Sequence, residues 1–503
     1  MRRRLAAVAV LLCLTATSAL ADQRWMTVLL DGRKVGNLQI DRDTSGDKVT
    51  TSQVLNFRLT RAHTPLLLLT RIKAVESPLG QPLAFAASTN MSSQENLVTG
   101  EVRDDGSFQV SNTVGGQSKV NLLIWPTGAT MAEGQRLAVV SHGFKPGTVY
   151  QIRNFDAVKQ QVANVEVKVI GDEVIEMPDS HQETLHHLRQ SLVGAPVERS
   201  VDVWVDNQGY IRRGISPLLG FRLEMVACSE ACASAPDQDV DLLRAAMVGA
   251  PRPMVAALRA APVRYTITVR GNFPEPFIET DEQHVTAVGD GVYTVDVGFG
   301  RIRSDEPPPS VEDISPNAWV QSDAPEIHAF AQQITGDATT DLQRMRRLRS
   351  YISDYIVKKG LDVGYASALE TLQSRRGDCT EHAVLLTALA RSMGIPARVV
   401  TGIVYVERMG GASRVFIPHA WTQAFVEGRW ISFDSAQRRF DSTHIALGVG
   451  NGDPWRFFAA MSSLGHITID RALPGSNLMD MPGPSGMSGE VGAGGGRGAA
   501  GSE

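Results

Sequence analysis

From Asp378 to Gly394 the chain reads DCTEHAVLLTALARSMG, and this stretch commits it to a helix that is apolar on nearly every side. Ala383, Leu386, Ala390 and Met393 recur at helical spacing, and Val384, Leu385 and Leu389 fill most of what remains. An amphipathic helix can rest on one layer. A helix apolar all round has to be central, covered by a sheet and by other helices. Its start is marked by Asp378, a good N-cap, with Glu381 three residues on. This resembles a capping box in which Asp stands for the usual Ser or Thr. Gly394 and Pro396 mark its end.

Cys379 is then the first helical residue, and two readings compete for it. A cysteine can be a small core filler, although a filler belongs in the apolar stripe rather than at the cap. A helix N-terminus also presents unpaired amides and the positive end of the peptide dipoles, both of which favour a thiolate over a thiol. From this stretch alone the two readings balance.

A thiol nucleophile needs a base and a group to orient that base. Downstream lies PHAWTQAFVEGRWISFDSA, residues 418–436. His419, Trp421, Gln423 and Phe425 share one strand face by period two. Glu427-Gly428 reads as a two-residue turn, with Arg429 to Asp434 returning. If Val426 pairs with Arg429, Trp421 faces Asp434, which becomes the diagonal neighbour of His419 on the same face. Diagonal Cα atoms lie about 7–8 Å apart, within reach of an imidazole and a carboxylate. The spacing predicts a His–Asp pair.

Together, GDCTEHAVLLTALARSMGIPARVVTGIVY and PHAWTQAFVEGRWISFDSA resemble the transglutaminase-like superfamily of cysteine enzymes. Five separated elements agree in order and spacing: Gly-Asp-Cys, the apolar helix, Gly-Ile-Pro-Ala-Arg, His-Ala-Trp and Trp-x-x-Phe-Asp. The resemblance covers about the last third of the chain without its tail. It implies a papain-like α+β core, a nucleophile helix on an antiparallel sheet, with Cys379 as nucleophile, His419 as base and Asp434 as orienter. It implies acyl transfer from a protein or peptide amide through a thioester. A water acceptor would make a peptidase or deamidase, and an amine acceptor a transglutaminase; hydrolysis is slightly favoured because it needs no second substrate site. No cofactor and no metal enter this reading. Gln373, six residues before the cysteine, reads as a surface residue rather than an oxyanion donor, and His382 as packing behind the thiol. Arg398 and Trp421 read as structural or pocket-lining.

The chain has 503 residues and a net charge of −5, with no clustered basic face for nucleic acid. Arg2 to Arg4, the apolar run Leu5–Leu14 and Ala19-Leu20-Ala21 read as a secretory signal peptide cut after Ala21. An uncleaved anchor is the competing reading, but the run is short for a span. Export, periplasmic or extracellular, leaves Cys228, Cys232 and Cys379 in an oxidising compartment. The odd count leaves one thiol free. A local Cys228–Cys232 bridge makes Cys379 the free one, with two unbridged thiols as the alternative.

Residues 22–235 read as a β-rich domain of two sheets or a half-barrel, with hairpin turns at Asp31-Gly32 and at 206–209. Residues 236–316 read as a strand-containing connection ending in the proline-rich DEPPPSVEDISP. Residues 317–473 read as the catalytic domain, opening with helices; Leu342, Met345, Leu348, Ile352 and Ile356 keep helical spacing. Residues 474–503, rich in Gly, Ser and Pro, read as a disordered tail. Two motifs fail on inspection. DRDTSGDKVTTS has calcium-loop spacing as far as Gly46 but ends on Ser52 where a bidentate Glu is needed. His181, His186 and His187 lack HExxH spacing and read as a polar loop or helix edge rather than a zinc site. A non-catalytic scaffold that binds a cell-envelope partner through the β-rich domain is the alternative function, although all three candidate catalytic residues are present.

Overall fold

The structure, a computed structural model, describes residues 22–475 except 62–63, 91–94, 115, 195–199, 219–220, 272, 274, 299–305, 359, 361–363, 438 and 455–460. The signal-peptide reading of 1–21 and the tail reading from 476 onward fall outside the described residues. No helix among the described residues is long and apolar enough to cross a membrane.

Alternating strands separated by tight turns build a single fifteen-stranded sheet from the N-terminal region, where two sheets or a half-barrel are expected. Its first eight strands form a meander whose opening strand, Asp22–Leu30, pairs with Phe221–Cys228; the remaining seven run backwards from there to Ala129–Thr130. Every pair is antiparallel except Ala129–Thr130 against Val149–Asp156. Asp31 and Gly32 both take positive φ, as a two-residue hairpin turn with this twist requires. The failed calcium motif lies on the strands 33–45 and 48–61 and their turn. The helix Ala132–His142 ties the halves of the sheet together. Glu76, buried on the first half, accepts from the N–H groups of Glu133 and Gly134 at 2.7 and 2.9 Å, and Arg136 donates to the Gln208 carbonyl on the second half at 2.8 Å.

His181 ends a polar turn, as expected, but His186 and His187 are on neither a loop nor a helix edge. His186 and His187 lie within the strand Gln182–Leu192, and His181 directly precedes it. Leu185 and His187 are buried on one face of this strand, and Leu188 is buried on the other in a separate apolar cluster, so neither face alternates cleanly between apolar and polar residues. Cys228 and Cys232 are both free thiols, so the expected local bridge is not formed. Burial and the neighbouring Cys232 thiol push the Cys228 pKa up to about 12.

The C-terminal core is α+β. Helices Pro325–Thr335, Asp341–Tyr355, Ala368–Ser374 and Cys379–Ser392 accompany an antiparallel sheet of Val248–Gly249, Ala412–Val426, Ala397–Met409 and Ile445–Gly450, with Arg429–Phe433 also on Ala412–Val426; all these strands but Val248–Gly249 follow the helices in the chain. Met345, Leu348, Ile352 and Ile356 are fully buried, as their spacing demands. Residues 380–391 of the last helix are all buried, so it is indeed central.

The strands Val263–Val269 and Val292–Val297 form a second small sheet with Gln283–Gly289 and with Ile467–Pro474. The proline-rich stretch packs on the core as well. Glu306 is ion-paired with Arg398, and the Pro307 carbonyl accepts from Trp430 Nε1 at 3.2 Å.

Candidate active site

The Cys379 helix begins as its sequence specifies. Asp378 Oδ1 accepts from the Thr380 N–H at 3.0 Å, and Glu381 Oε2 accepts from the Asp378 N–H at 2.8 Å. Glu381 folds back so tightly that a Cβ on Gly377 would lie 2.3 Å from its Cβ, and Gly377 has φ +150°. The Gly of Gly-Asp-Cys is therefore a requirement of the cap. Glu381 is fully buried; burial and the Asp378 charge push its pKa up to about 8. Cys379 is half-buried at the first position of the helix.

The hairpin forms in the expected register: Val426 pairs with Arg429, and Thr422 with Phe433. Trp421 Nε1 donates to Ser432 Oγ at 3.0 Å, and Gln423 Oε1 accepts from Arg398, so the odd-numbered residues do share a face. His419 lies opposite Gly402, where a Cβ would sit 2.1 Å from the Ile445 carbonyl oxygen and 2.8 Å from the Trp421 ring. Only glycine lets the three strands close at this point.

His419 Nε2 meets Asp434 Oδ2 at 2.8 Å, and both side chains are buried. Three bonds carry the Cys379 helix onto this pair. Thr422 Oγ1 donates to the Ala383 carbonyl at 3.0 Å and meets Thr387 Oγ1 at 3.2 Å, while His382 Nδ1 meets Ser435 Oγ, next to Asp434, at 3.2 Å. Gln373 is exposed. Arg398 bonds Gln423 and Glu306 and stacks on Trp430, and burial brings its pKa down to about 10.

Sequence reasoning missed His444. Its Nε2 reaches the same Asp434 oxygen at 2.9 Å. Asp434 Oδ1 accepts from the N–H groups of Ala436 and Gln437 at 2.7 and 3.0 Å. Burial alone would raise the Asp434 pKa; the two imidazoles together outweigh it and hold the carboxyl well below the usual range. Glu282, from the strand region before the proline-rich stretch, was also missed. It accepts from the Ser432 N–H behind the hairpin, and burial pushes its pKa up. Neither residue lies in a periodic segment adjoining the hairpin. Only the closing of distant strands brings them in.

His419, Asp434 and His444 each put one ligand atom within 4.8 Å of the others. Both imidazoles, however, aim at one carboxylate oxygen from 2.8 and 2.9 Å. Around a tetrahedral ion with bonds of about 2.0–2.1 Å, ligand atoms stand roughly 3.3 Å apart. The spacing here is that of hydrogen bonds. Beside Asp434 opens a cavity of about 340 Å³ whose walls include Arg346, Arg349, Arg429 and Arg439. A larger one, about 470 Å³, lies in the N-terminal sheet, remote from this chemistry.

Residues 328–435 match the transglutaminase-like superfamily, and the match contains Cys379, His419 and Asp434. This segment is a transglutaminase-like domain. His444 lies beyond its end. An uncharacterized protein of Mycobacterium leprae is 34% identical over 99 residues, 19% of this chain and 35% of that protein. The chain thus matches about a third of that relative's length. Among solved structures, a candidate cysteine protease from Cytophaga hutchinsonii is 18% identical with a TM-score of 0.28, over 43% of this chain and 83% of that one. A beta-barrel-like protein of a domain of unknown function from Brucella abortus is 12% identical with a TM-score of 0.33, over 42% of this chain and 96% of that one.

Proposed function

We propose that the protein is an exported cysteine enzyme that transfers the acyl group of a protein or peptide amide through Cys379, His419 and Asp434, with water the favoured acceptor. The observation that carries this reading is the buried 2.8 Å His419–Asp434 bond, on the strand to which the Cys379 helix is itself hydrogen-bonded. A His–Asp pair of this kind fixes the imidazole ring and stabilises its cation.

In this reading the Cys379 thiolate attacks the amide carbonyl carbon. The carbonyl electron pair moves to oxygen, where backbone N–H groups at the helix start stabilise it. His419 uses Nε2 on Asp434 and so presents Nδ1 to the reacting groups. As the tetrahedral intermediate collapses, imidazolium Nδ1–H protonates the departing nitrogen, the C–N bond breaks and a thioester remains. Neutral His419 then takes a proton from water, the hydroxide attacks the thioester, and the thiolate leaves as the carboxylic acid forms. A primary amine in place of water gives a new amide.

Incubating the mature protein with casein, with and without a fluorescent primary amine, tests the reading. The expected result is peptide or ammonia release that is lost in Cys379→Ser, with little amine incorporation. Amine incorporation exceeding hydrolysis would reverse the acceptor assignment. Activity that survives Cys379→Ser would overturn the nucleophile.

A further inference from the structure

We propose that the cavity where the N-terminal sheet meets the C-terminal core is a binding site for a small, neutral, polyhydroxylated ligand: a single pyranose sugar ring. The cavity measures about 190 Å³. Its walls include none of Cys379, His419 and Asp434, so the inference stands apart from the triad reading. One wall is the sheet. Thr89 and Asn96 lie opposite each other on the strands Pro82–Asn90 and Glu95–Val102 and both line the cavity. They are 5% and 8% exposed. Thr89 Oγ1, Asn96 Oδ1 and Asn96 Nδ2 have no hydrogen-bond partner among the described residues. Buried polar side chains are nearly always paired, because an orphaned donor or acceptor is destabilising. Two of them side by side on one cavity wall call for a partner that enters the cavity. Asn112 and Gln160 extend the polar wall. Each donates to the other's carbonyl oxygen, which leaves each carboxamide a second N–H.

The opposite wall belongs to the C-terminal core and is fixed by its own bonds. Asn317 Nδ2 donates to the Asn451 carbonyl at 2.8 Å, and Asn451 Nδ2 donates to Glu312 at 2.9 Å. Trp319, half-buried, also lines the cavity. Its ring stands perpendicular to Tyr365 at 5.5 Å, and the Tyr365 hydroxyl donates to the Gly452 carbonyl at 2.8 Å. The indole is therefore held in place without help from a ligand.

The chemistry of these walls selects the ligand. An apolar group would leave Thr89 and Asn96 unpaired. An anion would meet one cation, Lys159, which already lies 3.8 Å from Asp156; a cation would meet one carboxylate, Asp453. An extended peptide binds a sheet by adding to a free edge, but Pro82–Asn90 and Glu95–Val102 are interior strands with neighbours on both sides. What remains is a neutral ligand that both donates and accepts. Hydroxyl groups do both, as do the carboxamide and hydroxyl that face them. The C–H face of a pyranose suits the apolar face of an indole. The volume equals that of about six waters at ~30 Å³ each, room for one sugar ring and not for a chain of them.

The test is calorimetric titration of the full chain with D-glucose, D-galactose and N-acetyl-D-glucosamine, with glycerol and D-glucuronate as controls. At least one neutral sugar is expected to bind with a Kd on the order of 1 mM. Its binding should weaken about tenfold or more in Asn96→Leu and in the near-isosteric Thr89→Val. Neutral sugars that bind no better than glycerol overturn the inference and leave the cavity to water. Glucuronate binding in preference to the neutral sugars overturns the ligand class. Undiminished binding in either folded variant overturns the site. A second measurement needs no substitution: photolabelling of wild type with a diazirine-bearing glucose, located by mass spectrometry. Label is expected within residues 87–98 or 317–319. Label confined to other segments overturns the inference even where the variants do not fold.

Discussion

Imidazoles bonded to carboxylates occur both in the N-terminal sheet and in the C-terminal core, and the two regions differ in what surrounds them. In the N-terminal sheet His187 sits between Glu173 at 2.7 Å and Asp202 at 2.9 Å, and His186 between Asp172 at 2.6 Å and Asn207 at 2.9 Å. The carboxylates there are open to water: Glu173 is 41% and Asp172 58% exposed. In the C-terminal core the carboxylate between the two imidazoles is Asp434, 1% exposed. Water screens the first group and leaves it to fasten neighbouring strands, whereas burial makes every charge in the second count. The chemistry of the side chains is the same in both regions; the dielectric around them differs.

That contrast can be broken or sharpened by substitution. The largest effect is expected at Asp434. Asp434→Asn removes the charge that both His419 and His444 use, and kcat/KM for peptide hydrolysis should fall by about 10³- to 10⁴-fold, measured on folded protein. A fall of tenfold or less would mean that the pair does not act as a unit. Next comes Glu381, buried at the cap of the Cys379 helix. Because its folded pKa of about 8 lies above the ordinary carboxylate value, the folded state holds a proton that the unfolded chain releases. The stability this group contributes is full below the ordinary Glu range and is lost as pH rises to about 8. Glu381→Gln should be less stable than wild type at pH 5, by about 1–2 kcal/mol, yet flatter between pH 5 and 8 in urea midpoints. A parallel pH dependence in the two proteins would show that Glu381 is not the titrating group. The smallest effect is expected in the sheet. His187→Ala loses a ring stacked on Trp204 and two hydrogen bonds, which should cost about 1–2 kcal/mol in thermal or urea unfolding and leave hydrolysis unchanged. A loss of hydrolysis there would mean that the two regions are coupled.

Legibility in the sequence followed the range of the forces involved. The cap at Asp378, the central helix and the hairpin at Glu427-Gly428 depend on residues a few positions apart, and each could be read directly. The His419–Asp434 bond followed because a two-residue turn fixes the register of every pair beyond it. His444 could not be read in this way, since it reaches Asp434 through an irregular loop with no period to count along. Glu282 comes from further still, across a proline-rich stretch that looks like a spacer, and Glu306 belongs to that stretch, which is packed on the hairpin and its neighbouring strand. The N-terminal sheet showed its strands but not their number in one sheet. Alternation specifies which face is buried and says nothing about where Asp22–Leu30 finds its second partner, Phe221–Cys228. Its apolar residues collect in three separate clusters, whereas one continuous cluster surrounds the Cys379 helix.

The central proposal is that Cys379 reacts as a thiolate with the help of the His419–Asp434 pair. The rate of Cys379 alkylation by iodoacetamide, followed across pH in wild type and His419→Ala, tests this most directly. The account predicts rapid alkylation of wild type well below the pH at which an ordinary thiol ionises, at about 8.5, and a return to ordinary behaviour in His419→Ala. Wild-type Cys379 that titrates as an ordinary thiol, with the same profile in His419→Ala, would contradict it.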